Sequence, residues 1–479
     1  MLLWFLLLLF LGGGVHSSQP DTWSVYPPDI SGKFTVPVDN FEYDSVDSFD
    51  LRYLGFDGFA EERKGRSIVL LYLGNEGQIE SFYNASGFLF ELASELSASV
   101  LFIEHRYYGE SLPFGEDGSF TNEGLRYLSI EQTLADYSLF IAEGVPNLLG
   151  CEDCDVVIFG GSYGGMLAAW HRWKYPHLTV GALASGAPID FYPETGIQND
   201  FYDAFLHTYE ISQEGCGATL DTLLRTKYSE DDLSHLNICS SESATVEAFL
   251  FYVRGAVSSL AMIDYPYELN FIAPLPANPV EVGCGLLIGG GDVVEPPIVQ
   301  LRNLVDLYVN YTGDLACWDL DAELVSEGGG GGRMVGSSDL LGMTSWNYQA
   351  CTELILEPIT SDGFGFYPPD DGKESQKVID RCKAMFGVTT RPEWMPLSFG
   401  TSEDYSKYLT NTILAENEKD PWHVGTQDVV ANEKNELYRL FAEGGAHHQD
   451  LRFSDELDSE GVKAMRAKER DIIKNWLNL

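Results

Sequence analysis

Five residues, Gly160-Gly161-Ser162-Tyr163-Gly164, constrain this chain more than any others. They follow an apolar run, Val156-Val157-Ile158-Phe159, and open a segment with helical periodicity. A Gly-x-Ser-x-Gly between a strand and a helix demands a tight turn, and side chains flanking the serine would strike neighbouring backbone. The turn lifts the serine hydroxyl above the sheet edge. It also aims the next backbone N–H, that of Tyr163, at the place where an oxyanion would form. Strand, nucleophile and helix are therefore expected in that order.

The surroundings extend the pattern. Ser67 to Leu73 and Ala98 to Ile103 are short β-rich apolar runs. Ser129-Ile130-Glu131-Gln132 reads as a capping box that starts a helix through Leu134, Tyr137 and Ile141, ended by Gly144 and Pro146. The helix after the serine places Met166, Ala169, Trp170 and Trp173 on one face and stops at Pro176, and Val180 to Leu183 begins another strand. Such alternation implies a parallel, doubly wound sheet. Between 191 and 394 long helical patterns dominate (Ala244 to Met262, Pro297 to Tyr311). From 395 strand and helix resume with Tyr408 to Ala415 and a final amphipathic helix, Val462 to Leu477. The basic run Lys463 to Arg470 is read as that helix's solvated face, with Met465, Ile472 and Trp476 buried.

The chain has 479 residues, 44 % of them hydrophobic, which is ample for a buried core and excludes disorder. A formal charge of −44 excludes nucleic acid and anionic membrane as partners, since both need a basic face. Mutual repulsion of the carboxylates eases as some protonate, so an acidic compartment suits the composition; salty surroundings suit it equally. Residues 1–17, with the apolar run Leu2 to Leu11 followed by small residues, read as a signal peptide, and no other segment is long and apolar enough to span a membrane. Sequons at Asn84 and Asn310 and an even count of 8 cysteines fit a secretory route. Cys151-Glu152-Asp153-Cys154, just before the nucleophile strand, reads as a local bridge rather than a redox pair. Neither Gly289 to Gly291 nor Gly328 to Gly332 is followed by the Lys-Ser/Thr of a phosphate loop, and no His/Cys spacing makes a zinc site. No cofactor and no metal are expected.

A serine hydroxyl needs a base, and the base needs an acid to orient it. In an α/β-hydrolase these follow in the order Ser, Asp or Glu, His. Asp420, in Lys419-Asp420-Pro421-Trp422, lies just past a late strand, and His447 lies in Gly444-Gly445-Ala446-His447-His448 before the last helix. A cap before proline and a solvated loop are the plainer readings of each. Order and location favour them over His171, His177 and His423.

Longer strings add a resemblance. Glu104-His105-Arg106-Tyr107-Tyr108-Gly109-Glu110-Ser111-Leu112-Pro113-Phe114-Gly115, Gly160 to Trp170, Trp346 to Glu353, Asp420-Pro421-Trp422 and Ala446 to Arg452 resemble, in order, the lysosomal Pro-X carboxypeptidase and dipeptidyl peptidase II family. The resemblance implies an α/β-hydrolase fold in two parts, 18–190 and 395–479, with a helical, disulfide-bridged cap inserted at 191–394. It implies a serine exopeptidase cutting peptides beside proline, with the triad Ser162, Asp420 and His447. It implies pairs Cys216–Cys284, Cys239–Cys317 and Cys351–Cys382, leaving Cys151 for Cys154. Lysosome, vacuole and extracellular space all fit; homodimerisation is left open. The segment before Asp420 departs from the family's Ser-Asn-Gly-x-Leu: it reads Ala415-Glu416-Asn417-Glu418-Lys419, in which Asn417 can still adopt the left-handed conformation that glycine supplies.

The implied chemistry is acyl transfer. Tyr163 N–H and the loop Gly74-Asn75-Glu76-Gly77, through Asn75, are the oxyanion candidates, and Glu76 is a candidate for substrate binding. Met166 and Trp422 resemble the lining of a proline pocket, although ordinary core explains Met166 nearly as well. His448 and Arg452 are expected beside the base, where a cation would disfavour protonation of His447. A dipeptidyl aminopeptidase of the same family, a lipase or esterase, and an inert hydrolase-like binding protein are the rivals.

Overall fold

The structure is a computed structural model that describes residues 20, 22–44, 46–60, 67–192, 197–239, 245–271, 274–288, 295–318, 337–354 and 373–479. The expected signal segment and both Gly-rich runs lie outside these residues. An eight-stranded sheet organises the rest: β1 Ile30–Pro37, β2 Ser48–Phe56, β3 Ser67–Leu73, β4 Ser99–Ile103, β5 Cys154–Gly161, β6 Gly181–Ser185, β7 Thr412–Asn417 and β8 Leu437–Ala442, in the order β1-β2-β4-β3-β5-β6-β7-β8. From β4 to β8 every pairing is parallel. β1 and β2 add an antiparallel edge, so the sheet is mixed rather than wholly parallel. All residues of β4, β6 and β7 are buried, so these strands lack the alternation of a strand with one wet face, and β7 buries the polar Thr412, Glu416 and Asn417. β1 alternates exposed and half-buried positions, as an edge strand with one wet face does.

Winding runs one way from β3 to β4 and the other way from β5 onward. The carboxyl ends of β3 and β5 therefore flank the point where connections diverge, the crevice in which open α/β sheets bind ligands. The helix α1 Ile130–Leu139 and the helix α2 Tyr163–Lys174 cover one face; Gly87–Leu96 and Glu460–Trp476 cover the other.

Several local expectations are corrected. Ser129 Oγ does accept from Gln132 N at 3.2 Å. Gln132 does not close the capping box, because its side chain accepts from Asn40 N and donates to Asp39. Gly144 and Pro146 do not end the helix. A wide π turn over Phe140–Gly144 absorbs the missing proline N–H, the helix resumes at Val145–Leu149, and left-handed Gly150 closes it. Tyr408 ends a short helix instead of beginning β7. In the last helix Arg466 is buried, paired with Asp458 and donating to the Asp450 carbonyl at 2.9 Å.

Between β6 and β7 the chain is mainly helical. Helices Ile197–Ser212, Cys216–Arg225, Val246–Met262, Pro279–Ile288 and Pro297–Val309 enclose their own core around Phe205, Phe249, Val257 and Leu304. Cys216–Cys284 and Cys239–Cys317 bridge this unit, Cys351–Cys382 joins the helices Ser337–Thr352 and Lys373–Phe386, and Cys151–Cys154 closes the loop before β5.

Candidate active site

Ser162 occupies the turn between β5 and α2 with φ +57° and ψ −130°, a conformation L-residues avoid and strong surroundings must impose. Its amide donates to Ser185 O at 2.9 Å and its carbonyl accepts from Met166 N at 3.0 Å. A Cβ on Gly160 would meet Gly164 O at 2.0 Å, and one on Gly164 would meet Asn75 Oδ1 at 2.8 Å. Glycine is thus required on both sides of the nucleophile, on one side by the turn and on the other by the β3 loop. Ser162 itself is half-buried.

Asp420 lies three residues past β7 and does two jobs. Oδ1 accepts from Trp422 N at 3.1 Å, capping the turn Pro421–Thr426, and Oδ2 lies 2.7 Å from His447 Nδ1. Both side chains are buried. That bond puts the ring proton on Nδ1 and leaves Nε2 free to accept one. Gly186, one residue past β6, forms the floor: a Cβ there would stand 2.9 Å from Asp420 Oδ2 and from His447 Nδ1. The histidine loop turns at Gly444, φ +72°, and returns to the nucleophile strand, since a Cβ on Gly161 would meet the His448 ring at 3.1 Å. Gly186 and Gly161 so bring the Asp420–His447 pair to the serine turn.

The helical insertion grips this loop. His447 N donates to Met262 O at 2.9 Å and its carbonyl accepts from Tyr265 Oη at 2.8 Å, so both backbone groups of His447 are held from a unit far away in sequence. Tyr265 Oη in turn accepts from Arg452 Nη2 at 3.1 Å, and the guanidinium sits 4.4 Å over the Tyr265 ring and 4.5 Å over Phe271. Arg452 therefore reaches His447 through a phenol rather than directly. Burial, then His447 and Arg452, hold the His448 imidazole well below its usual range. Neither Tyr265 nor Met262 carries a sequence signal of its role.

The departures before Asp420 have structural partners. Lys419 pairs with Asp264 of the insertion at 2.7 Å, Glu418 accepts from Gly444 N at 2.8 Å, and Glu416 Oε1 lies 2.9 Å from Thr426 Oγ1. Asn417 does not take the left-handed conformation open to it. It remains extended at the end of β7, and Nδ2 donates to Asp450 Oδ1 at 3.0 Å.

At the end of β3, Tyr72 Oη donates to Asn75 Oδ1 at 3.3 Å and Asn75 Nδ2 donates to Glu76 Oε2 at 2.7 Å. Burial pushes the Glu76 carboxyl up, against the pull of Asn75 and His447. Three of the family-like strings meet at Tyr163: its own, the one with His105 and Tyr108, and the one with Gln349. Gln349 Nε2 donates to Tyr163 Oη at 2.8 Å, Tyr163 Oη lies 3.0 Å from His105 Nε2, and Tyr108 Oη donates to Gln349 Oε1 at 2.7 Å. Burial drives His105 down to about 3, so its ring is neutral. With Nδ1–H donating to Arg106 O at 2.6 Å, Nε2 accepts the Tyr163 proton. The chain of bonds fixes the residue that follows the nucleophile.

Met166 is buried in the core beneath the elbow. Trp422 packs 5.2 Å from Phe191 and 4.6 Å from Phe201, at the insertion. His171 is buried beside Ser138, and His423 bonds the Asp420 carbonyl at 2.6 Å, so neither competes with His447. Asn84 and Asn310 are half-buried, each accepting a backbone N–H, from Trp23 at 3.1 Å and Leu315 at 2.7 Å. Among the described residues no group of three or more His, Cys, Asp or Glu is arranged to hold a metal ion, and no helix is long and apolar enough to cross a membrane.

The same chain is similar to named proteins over nearly its whole length. It is 35 % identical to the lysosomal Pro-X carboxypeptidase of Bos taurus, covering 94 % of this chain and 89 % of that one. Identity with the Homo sapiens protein of that name is 34 %, over 93 % and 87 %. The thymus-specific serine protease of Mus musculus is 27 % identical over 93 % and 87 %. The serine carboxypeptidase S28 family matches residues 36–469, and the chain belongs to that family.

Proposed function

We propose that this protein is a serine exopeptidase that hydrolyses peptides beside proline in the manner of a Pro-X carboxypeptidase, with Ser162, His447 and Asp420 as its triad. The observation that carries the reading is the buried 2.7 Å Asp420–His447 bond, set against a strained serine turn at the sheet's switch point. His447 Nε2 takes the Ser162 proton as the hydroxyl oxygen attacks the scissile carbonyl carbon. Asp420 holds the tautomer and stabilises the imidazolium. The Tyr163 N–H and the β3 loop around Asn75 receive the oxyanion. His447 then protonates the departing amine, and water, activated by the same imidazole, releases the acyl group. Trp422 and Met166 supply apolar walls for the proline ring, and residues 191–394 cap the hydrolase parts 18–190 and 395–479. Four disulfides and lysosomal relatives support a secretory or lysosomal setting.

A second reading, dipeptidyl aminopeptidase, is favoured by Glu76: once ionised, a carboxylate near the base would match a peptide amine. Mass spectrometry of products from a hexapeptide with proline at its second and fifth positions separates the two. Loss of one carboxyl-terminal residue, absent in Ser162→Ala, supports the first. Release of an amino-terminal dipeptide supports the second. Turnover of simple esters with neither peptide product would overturn both.

A further inference from the structure

Glu416 is a fully buried carboxyl at the end of β7 that the chemistry above does not use. Oε1 lies 2.9 Å from Thr426 Oγ1, and Oε2 has no hydrogen-bond partner. Thr426 is the last residue of the turn that Asp420 opens. The contact thus ties the strand to the far end of the loop, with Asp420 and Trp422 between the two anchors. Facing Glu416 are Asp420 and Thr426 from that loop, Arg439 from β8 and Asp450 from the turn after His447.

We infer that Glu416 is a positioning residue for the Asp420–His447 pair, bracing through Thr426 the loop that carries Asp420. The inference rests on the triad assignment above. Proton counting says in which form the brace works. Thr426 has one hydroxyl proton, and its oxygen also lies 3.3 Å from His423 O, which can only accept. A Glu416 carboxylate would compete for that proton, and its other oxygen would be a buried anion with no hydrogen bond, near two further carboxyls that Arg439 only partly offsets. A carboxylic acid resolves both conflicts: its O–H donates to Thr426 Oγ1, and Thr426 donates to the His423 carbonyl. Burial, and Asp420 after it, push the Glu416 carboxyl well above the usual carboxylate range, in agreement with that count. Loss of the proton would end the donated bond and set a second negative charge behind Asp420. The active arrangement then fails on the alkaline side.

The test is the rate at which a fluorophosphonate phosphonylates the full-length protein, with loss of fluoride, between about pH 5 and 10, which reads serine reactivity without assuming a peptide substrate. Glu416→Gln keeps a donor in place and cannot ionise. It should match wild type within about twofold at pH 5 and label at least fivefold faster at the alkaline end, where wild type declines. Thr426→Val removes the brace and should label at least fivefold slower at pH 5. Superimposed profiles for wild type and Glu416→Gln would overturn the inference, as would a wild-type rate in Thr426→Val. Misfolding of Glu416→Gln would also count against it, because the amide mimics the proposed acid. Absence of labelling in wild type would instead remove the triad reading, and this inference with it.

Discussion

Replacing Tyr265 by phenylalanine asks how far the helical insertion holds His447, the proposed base, in place. One oxygen is lost. It donates to the His447 carbonyl at 2.8 Å and accepts from Arg452 at 3.1 Å, both buried. The ring stays, still stacked at 5.9 Å on Tyr267 and still 4.4 Å beneath the guanidinium, so packing is conserved. A carbonyl left unpaired in the interior costs about 1–3 kcal/mol, and a hydrogen bond to a charged group is worth about 1.5–3 kcal/mol. Relaxation recovers part, and a net loss of about 2–4 kcal/mol is expected. If about 1.4–2.8 kcal/mol of that appears as displacement of the base from its attacking position, kcat falls about 10- to 100-fold. KM should change little, because no substrate group is removed. Steady-state kinetics on a proline peptide, with Tm measured in parallel, checks both parts. Wild-type kcat with a lowered Tm would mean that the bond serves folding alone. Wild-type values of both would refute the claim that the insertion grips the loop.

Two further outcomes follow from buried carboxyls. Burial raises Glu353, Glu416 and Glu469 well above the usual range and takes Asp190 to about 6, and both Glu469 oxygens lack a hydrogen-bond partner. A carboxyl whose folded pKa is raised stabilises fully below its unfolded pKa and loses that contribution as pH rises through the folded value. Tm should therefore be higher at pH 5 than at pH 8, the Asp190 share being lost around pH 6. Glu469→Gln should narrow the difference; a flat or rising Tm across that interval would contradict the sign. If Glu76 pairs with a substrate amine, as the second reading has it, Glu76→Ala should raise KM about tenfold, the worth of one charge-assisted hydrogen bond, while kcat changes less. An unchanged KM would take Glu76 out of substrate binding.

What could be read in the sequence had local causes. The serine turn announces itself because a strand, two close approaches of backbone and a helix must fall within a few residues. Asp420 and His447 are found by order and by loop position. What could not be read depends on partners far away in the chain. Nothing around Tyr265 or Met262 says that they hold His447, and nothing around Gln132 says that Asn40 and Asp39 will claim its amide. The segment before Asp420 shows the limit well. Asn417 is extended because β8 and Asp450 pair with it, so its own tolerance for a left-handed turn decided nothing.

The last helix is a different case, since its signal was present and outweighed. Its buried positions Val462, Met465, Arg466, Glu469, Ile472, Ile473 and Trp476 keep the three- and four-residue spacing of a single stripe. Arg466 and Glu469 belong to that stripe by geometry, and only their charge suggested water. The arginine is buried because it has partners waiting, the Asp458 carboxylate and the carbonyls of Gln449 and Asp450 in the turn after His447. Periodicity fixes which way a side chain points, and charge fixes only what it must find there. The two ionisable residues on the stripe meet this demand differently: Arg466 finds polar partners, while Glu469 finds no hydrogen bond and burial pushes its carboxyl up. For Arg466 those partners include the turn that directly follows His447 and His448, so the last helix anchors the loop on which the proposed base sits.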